Sequence, residues 1–278
     1  MIFTKPYLHT LMLIKGIKRT LRRFSPIDRC VSAYMRRDGC ATSPDYDLQI
    51  YDLNAKLLDE HASGFRDRVI LDVGCGDNCL HAFKFLAAGA REVVLCEITA
   101  DQCLSEQMMQ KRFDEKKDLL QGMDYKTLCS NIRIVTDPVE RLTGIADESI
   151  DIIISTSLLE HVYDLEAAFA EMRRVLAPQG CMVHSVDLRD HFFFDHPLHF
   201  LRYAPWWWRN FYTRPSTYTN RHRAPRYFGL LEKYGFEVLY HKTDSTDHPL
   251  KQFGVHPCFS GYSEEELRTV YLLFAARK

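Results

Sequence analysis

From residue 69 onward, short apolar runs alternate with longer amphipathic segments, and few architectures accommodate that pattern. Residues 69–73, 92–96, 132–136, 150–155 and 181–186 read as strands, and 78–88, 101–120 and 164–176 read as helices between them. Beyond them the pattern predicts a helix over 225–234, a strand after Gly235 and a last strand over 269–276. A further helix is predicted upstream, over 47–61, where Leu48, Tyr51, Leu53, Leu57 and Leu58 supply apolar faces. Apolar strands joined by helices imply an α/β fold: a mostly parallel sheet with helices on both faces.

One stretch breaks the alternation. Between Arg189 and Tyr212, ten of 24 residues are aromatic, and Trp206, Trp207 and Trp208 are consecutive. Residues 187–222 therefore read as an insertion after the fifth strand, at the strand-end level where α/β proteins bind ligands. Its aromatic residues serve either as lid packing or as the wall of an acceptor pocket. Asn220, Arg221 and Arg223 follow it, placed either to bind a polar or anionic acceptor or to face solvent.

At 278 residues the chain is long enough for one elaborated domain or about two ordinary ones. The expected division is a basic helical extension or lid over 1–64 and a main domain over 65–278. Residues 1–40 carry nine Lys and Arg against Asp28 and Asp38, a net of +7, so the remaining 238 residues net −8. An acidic body argues against a nucleic-acid partner, which needs a basic face. Residues 13–24 show helical periodicity, with Leu13, Ile17, Leu21 and Phe24 opposite five cations. Such a segment can lie on an anionic membrane surface, or it can cap the body or a second subunit of a homodimer. The apolar stretch 1–14 precedes its basic cluster, which is not the order of a signal peptide, and no run approaches the length of a membrane span. Nine cysteines without a CxxC pair read as reduced thiols, and the expected location is cytoplasmic, with peripheral contact at the inner membrane face if 13–24 binds lipid.

The strongest chemical signal is Val-Ile-Leu-Asp-Val-Gly-Cys-Gly-Asp at 69–77: an apolar strand, then a Gly-x-Gly turn, then a helix start. Gly74 and Gly76 permit a sharp turn and close approach of backbone to ligand, and the helix start offers N–H groups. Glu97 ends the next strand, 21 residues past Gly76, where a carboxylate can accept both hydroxyls of a ribose. A dinucleotide fingerprint needs a third small residue where Cys79 stands, and acidic Asp77 suits an amino or sulfonium group better than a pyrophosphate. The P-loop lysine is also missing.

These residues, with DESIDIIISTSLLEHV at 147–162 and EMRRVLAPQG at 171–180, resemble the class I S-adenosylmethionine-dependent methyltransferases, of the methyltransferase type 11 kind. The resemblance covers roughly 66–188 and the C-terminal pattern over 235–278. It implies a Rossmann-like sheet of seven strands with a reversed final hairpin, and S-adenosyl-L-methionine as cofactor. It also implies that Gly74, Cys75 and Gly76 pass under the methionine part, Glu97 holds the ribose, Ile98 covers the adenine and Asp137 meets its amino group. Asp72 and Ser155 complete the implied cofactor set. The usual third glycine of the turn is Asn78 here.

Methyl transfer to a hydroxyl is an in-line displacement that needs alignment, exclusion of water and a base near the proton. His191 is the expected general base, assisted by Asp187, four residues away. His161, in the LEHV turn, is either a second candidate base or a residue that holds its loop together. Metal ligation by His184, His191, His196 and His199 is set aside because Pro197 interrupts the helix it would need, so no metal is expected. The tract H-S-x-D-L-x-D-H at 184–191, with T-N-R at 219–221, is similar to bacterial methyltransferases associated with glycan or secondary-metabolite assembly, which points to O-methylation of a small-molecule or glycan-like acceptor. The competing expectations are aminocarboxypropyl transfer or cyclisation with the same cofactor, and a regulatory protein that binds the cofactor without turnover.

Overall fold

The computed structural model describes residues 43–77, 79–191, 193, 195–211, 219–250 and 254–278. The predicted basic helix over 13–24 and the turn residue Asn78 lie outside them. Seven strands form one sheet in the order β3-β2-β1-β4-β5-β7-β6. They are β1 (Val69–Val73), β2 (Glu92–Cys96), β3 (Ile132–Val135), β4 (Ile150–Thr156), β5 (Leu176–Asp187), β6 (Glu237–Ser245) and β7 (Thr269–Arg277). The pairings among β1 to β5 are parallel, whereas β7 runs antiparallel to both β5 and β6.

The helices are α1 (Pro44–His61), α2 (Leu80–Ala87), α3 (Ala100–Cys103), α4 (Glu106–Lys116), α5 (Tyr125–Cys129), α6 (Leu165–Val175), α7 (Pro205–Phe211), α8 (Ala224–Lys233) and α9 (Glu264–Arg268). Alternate strand residues point to opposite faces of the sheet. Ile70, Val93, Leu95, Ile152 and Val183 pack with Leu58 of α1 and Phe83 of α2. Leu71, Val94, Ile153 and Met182 pack with Phe169 and Met172 of α6 and Leu230 of α8. A third cluster joins Leu198, Phe200, Leu201, Tyr203 and Trp208 of the insertion to Leu250, Phe259 and Leu267.

The single helix predicted over 101–120 is divided. After α3 the chain becomes extended at Ser105, whose hydroxyl accepts from Met108 N–H and starts α4 anew. The aromatic insertion contains a helix, α7, with Trp206 65% exposed and Trp208 buried. No helix among the described residues is long and apolar enough to cross a membrane. The seven cysteines among the described residues are thiols.

Candidate active site

The parallel register brings the ends of β1, β2, β4 and β5 to one edge. Val73 pairs with Cys96, so Gly74 and Glu97 leave their strands side by side. Gly74 N–H donates to Cys96 O at 2.7 Å, and Gly76 N–H donates to Glu97 Oε2 at 3.0 Å. Both glycines hold left-handed backbone, with φ of 73° and 61°. A Cβ on Gly74 would lie 2.6 Å from Leu158 Cδ1, whereas one on Gly76 would meet nothing within 4 Å. Gly74 thus lets the turn close against the loop after β4, and Gly76 borders open space. Glu97 Oε1 accepts from Thr99 N–H at 2.9 Å and Thr99 Oγ1 at 2.6 Å. Beside it Ile98 is 66% exposed, a large apolar surface at the strand end. Asp137, after β3, accepts from Gly144 N–H at 2.6 Å and Thr143 Oγ1 at 3.1 Å.

A buried charge network fixes this turn from behind. His81 Nδ1 lies 2.5 Å from Asp47 Oδ1, and its Nε2 lies 2.7 Å from Asp72 Oδ2. Burial disfavours the imidazolium, but the two carboxylates overcome that penalty and push the His81 pKa up to about 10. Asp47 also accepts from the N–H groups of Leu80 and His81, so it caps α2 from α1. One interaction therefore ties α1, α2 and β1 together just behind Gly74.

The second half of the edge lies beyond β4 and β5. Ser157 adopts φ 52°, and its N–H donates to Ser185 O at 2.9 Å as the chain turns into Leu158 and the short helical turn Leu159–His161. Glu160 is buried, and burial pushes its carboxyl well above the usual range. The rings of His161 and His191 meet edge to face with centroids 5.0 Å apart. His191 Nε2 stands 3.5 Å from Asp187 Oδ2. Burial would raise the Asp187 pKa, but bonds from Arg189 and His191 hold it well below the ordinary carboxylate range. Arg189 grips that carboxylate through Nε at 2.8 Å and Nη2 at 2.6 Å. A cavity of about 260 Å³ lies between α1 and this edge, lined among others by Tyr46, Ile50, Thr156, Ser157, Ser185 and Tyr271. The phenol of Tyr46 is raised by partial burial and then by the charges of Glu160, Asp187 and Asp47.

The model of a methyltransferase domain family matches residues 71–184, a span that holds the glycine turn, Glu97 and the LEHV turn. Residues 71–184 are a methyltransferase domain. No curated protein matches it. Its fold is similar to that of geranyl diphosphate methyltransferase solved with GPP and sinefungin, at 15% identity, 81% and 78% coverage of the two chains and a TM-score of 0.52. It is also similar to a protein described as a sarcosine dimethylglycine methyltransferase from Galdieria sulphuraria, at 15% identity, 84% and 85% coverage and a TM-score of 0.51. The [4+2]-cyclase SpnF gives 18% identity, 82% and 80% coverage and 0.50.

The expected residues of this methyltransferase do not all reach its cleft. Gly74, Gly76, Glu97 and Ile98 gather at the β1–β2 end, and their open backbone, carboxylate and apolar surface fit S-adenosylmethionine. Cys75 is in the turn but buried, and burial pushes its thiol well up. Asp72 bonds to His81, and Ser155 is buried with its hydroxyl 2.6 Å from His184 Nδ1, so both act beneath the edge. Asp77 is buried against Arg112 at 3.4 Å, so its charge is answered by protein and not left for a sulfonium group. Asp187, His191 and His161 do come together, although 188–191 is not helical; a turn, not a helix face, brings His191 back to Asp187.

The four-histidine arrangement does not form. His184 bonds to Ser155, His196 to His248 at 3.0 Å, and His199 lies 3.7 Å from Asp190. Nor do Arg221 and Arg223 face an acceptor or solvent. Arg221 donates to the carbonyls of Phe200 and Tyr203 at 3.0 and 2.7 Å, and its guanidinium lies over Trp208. Arg223 donates to the carbonyls of Leu188, Leu267 and Thr269. Asn220 donates from its backbone to Glu160 O at 2.8 Å and from Nδ2 to Leu159 O at 2.7 Å. All three hold loops in place. Sequence reasoning missed Asp47, His81, Tyr46, Glu160 and Tyr271. Of these, Glu160 was the most accessible, since it directly precedes a histidine already singled out.

Proposed function

We propose that this methyltransferase moves the methyl group of S-adenosylmethionine to a hydroxyl of a small-molecule or glycan-like acceptor. The supporting observation is the Asp187–His191 pair at the end of β5, next to the cavity that Tyr46, Ser185 and Tyr271 line. The cofactor would lie over Gly74 and Gly76 with its ribose on Glu97, its adenine against Ile98 and its amino group toward Asp137. The acceptor would enter from the β4–β5 side. His191 takes the hydroxyl proton while Asp187, kept ionised, orients the imidazole and stabilises its charge. The oxygen attacks the methyl carbon, the carbon–sulfur bond breaks, and S-adenosylhomocysteine leaves. Helix α1 closes the cavity through Tyr46.

The test incubates the full chain with methyl-labelled S-adenosylmethionine and a panel of sugar, phenol and aliphatic hydroxyl acceptors. The expected products are a labelled acceptor and S-adenosylhomocysteine, and His191→Ala lowers turnover by a factor on the order of 10² with cofactor affinity nearly unchanged. Methylthioadenosine as product would assign aminocarboxypropyl transfer instead. Label found only on nitrogen or carbon would overturn the hydroxyl acceptor.

A further inference from the structure

We propose that Glu160, His161 and His191 form a binding site for one divalent transition-metal ion of the Zn²⁺ class. One ligand atom from each of the three side chains lies within 4.8 Å of the others. Zinc bonds of about 2.0–2.2 Å put tetrahedral ligand atoms roughly 3.4 Å apart, so closing the site needs side-chain shifts on the order of 1 Å. Two imidazoles and one carboxylate favour a transition ion over Mg²⁺ or Ca²⁺, which take oxygen ligands.

The independent observation is Glu160 itself. It is 2% exposed, and neither carboxylate oxygen has a hydrogen-bond partner. Burial favours the protonated carboxyl, and a metal ion would displace that proton and pair with the carboxylate. The Arg189 guanidinium is hydrogen-bonded to both oxygens of Asp187, and its charge offsets only part of the burial of Glu160. The surroundings suit an ion. Asp187, 3.5 Å from His191 Nε2, stands where a ligating imidazole finds the carboxylate that orients it. Asn220 fixes the Leu159–His161 turn through the carbonyls of Leu159, Glu160 and Val162. His161 and His191 are part-exposed, which leaves an entry path, and three protein ligands would leave a tetrahedral ion its fourth position for an outside ligand.

What the ion does rests on the hydroxyl-transfer reading; whether it binds does not. An acceptor oxygen in the open position would lose its proton to solvent more easily, and would then form the bond to the methyl carbon as the carbon–sulfur bond breaks. In that state His191 is a ligand and not a base. Removing it impairs turnover either way, so metal content separates the two states.

The experiment strips the full chain with a chelator and titrates it with Zn²⁺ and with Co²⁺, without cofactor or acceptor. The expected result is one ion per chain, with Co²⁺ absorption typical of nitrogen and oxygen ligands. Glu160→Gln and His161→Gln should each weaken binding at least tenfold while S-adenosylhomocysteine still binds, which shows that the variants are folded. No stoichiometric binding, binding that both variants retain, or a sulfur-to-cobalt charge-transfer band would overturn the site. Stoichiometric metal with no hydroxyl methylation would support the site and count against the acceptor chemistry instead.

Discussion

On the β1–β2 side, Gly74, Gly76 and Glu97 belong to one strand–turn–helix–strand unit, and backbone geometry sets their spacing. On the β4–β5 side, Glu160 sits in the turn after β4, and Asp187 and His191 sit at and just past the end of β5, where a third segment, 220–223, holds the chain by bonds to carbonyls. The first half depends on what the backbone can do locally. The second depends on side chains that reach across the fold, so it can vary in sequence without changing the sheet. The similarity of fold to both a methyltransferase and a cyclase is consistent with this division, since chemistry resides in the site and not in the sheet.

The largest expected effect comes from breaking the backbone half. Gly74→Arg should reduce S-adenosylhomocysteine affinity at least 100-fold by isothermal titration. The φ of 73° and the 2.6 Å approach to Leu158 leave no room for a side chain. Gly76→Ala meets open space and should suffer mainly from backbone strain of about 1–2 kcal/mol.

The buried network behind the turn comes next. Asp47→Ala leaves a buried imidazolium with one partner, and should cost about 3–5 kcal/mol of stability in denaturant titration while also weakening cofactor binding. The pH dependence has a definite sign. Because the pKa of His81 is raised in the folded chain, its stabilising contribution is full below about pH 6.5 and is lost as pH rises through about 10. The Tm should therefore fall between pH 7 and 10, and His81→Gln should lack that part of the decline.

The smallest effect should sharpen the contrast. Asn220→Ala removes two side-chain bonds to the LEHV turn at a cost of about 1–3 kcal/mol. It should lower turnover roughly tenfold through misplacement of Glu160 and His161, and leave S-adenosylhomocysteine affinity unchanged. An equal loss of affinity would mean that the two halves are mechanically coupled.

Much of the fold was legible because its signals are local. Strands β1 and β2 span the predicted residues 69–73 and 92–96, and Glu97 could be placed from its distance to Gly76. The short helices α5 and α9 were not legible, because five residues carry too little periodicity even when Asp124 or Ser263 caps them. Arg221 and Arg223 were misread for a different reason. A cation between polar residues reads as exposed, yet Arg223 is fully buried on three carbonyls, and burial lowers its pKa to about 10.

The sequence by itself determined the strand–helix order, the glycine turn and the carboxylate that follows it, since each rests on backbone conformation or on burial repeated over neighbouring residues. Tertiary structure decided which charges stay available. Asp77 went to Arg112, Asp72 and Asp47 to His81, and Arg189 to Asp187, while the Glu160 carboxyl group was buried with no hydrogen bond and only His161 Nε2 at 4.0 Å. Asp77 and Arg112 pair across 35 residues and Lys278 and Glu148 across 130, and no local pattern records which partner the fold will bring within reach.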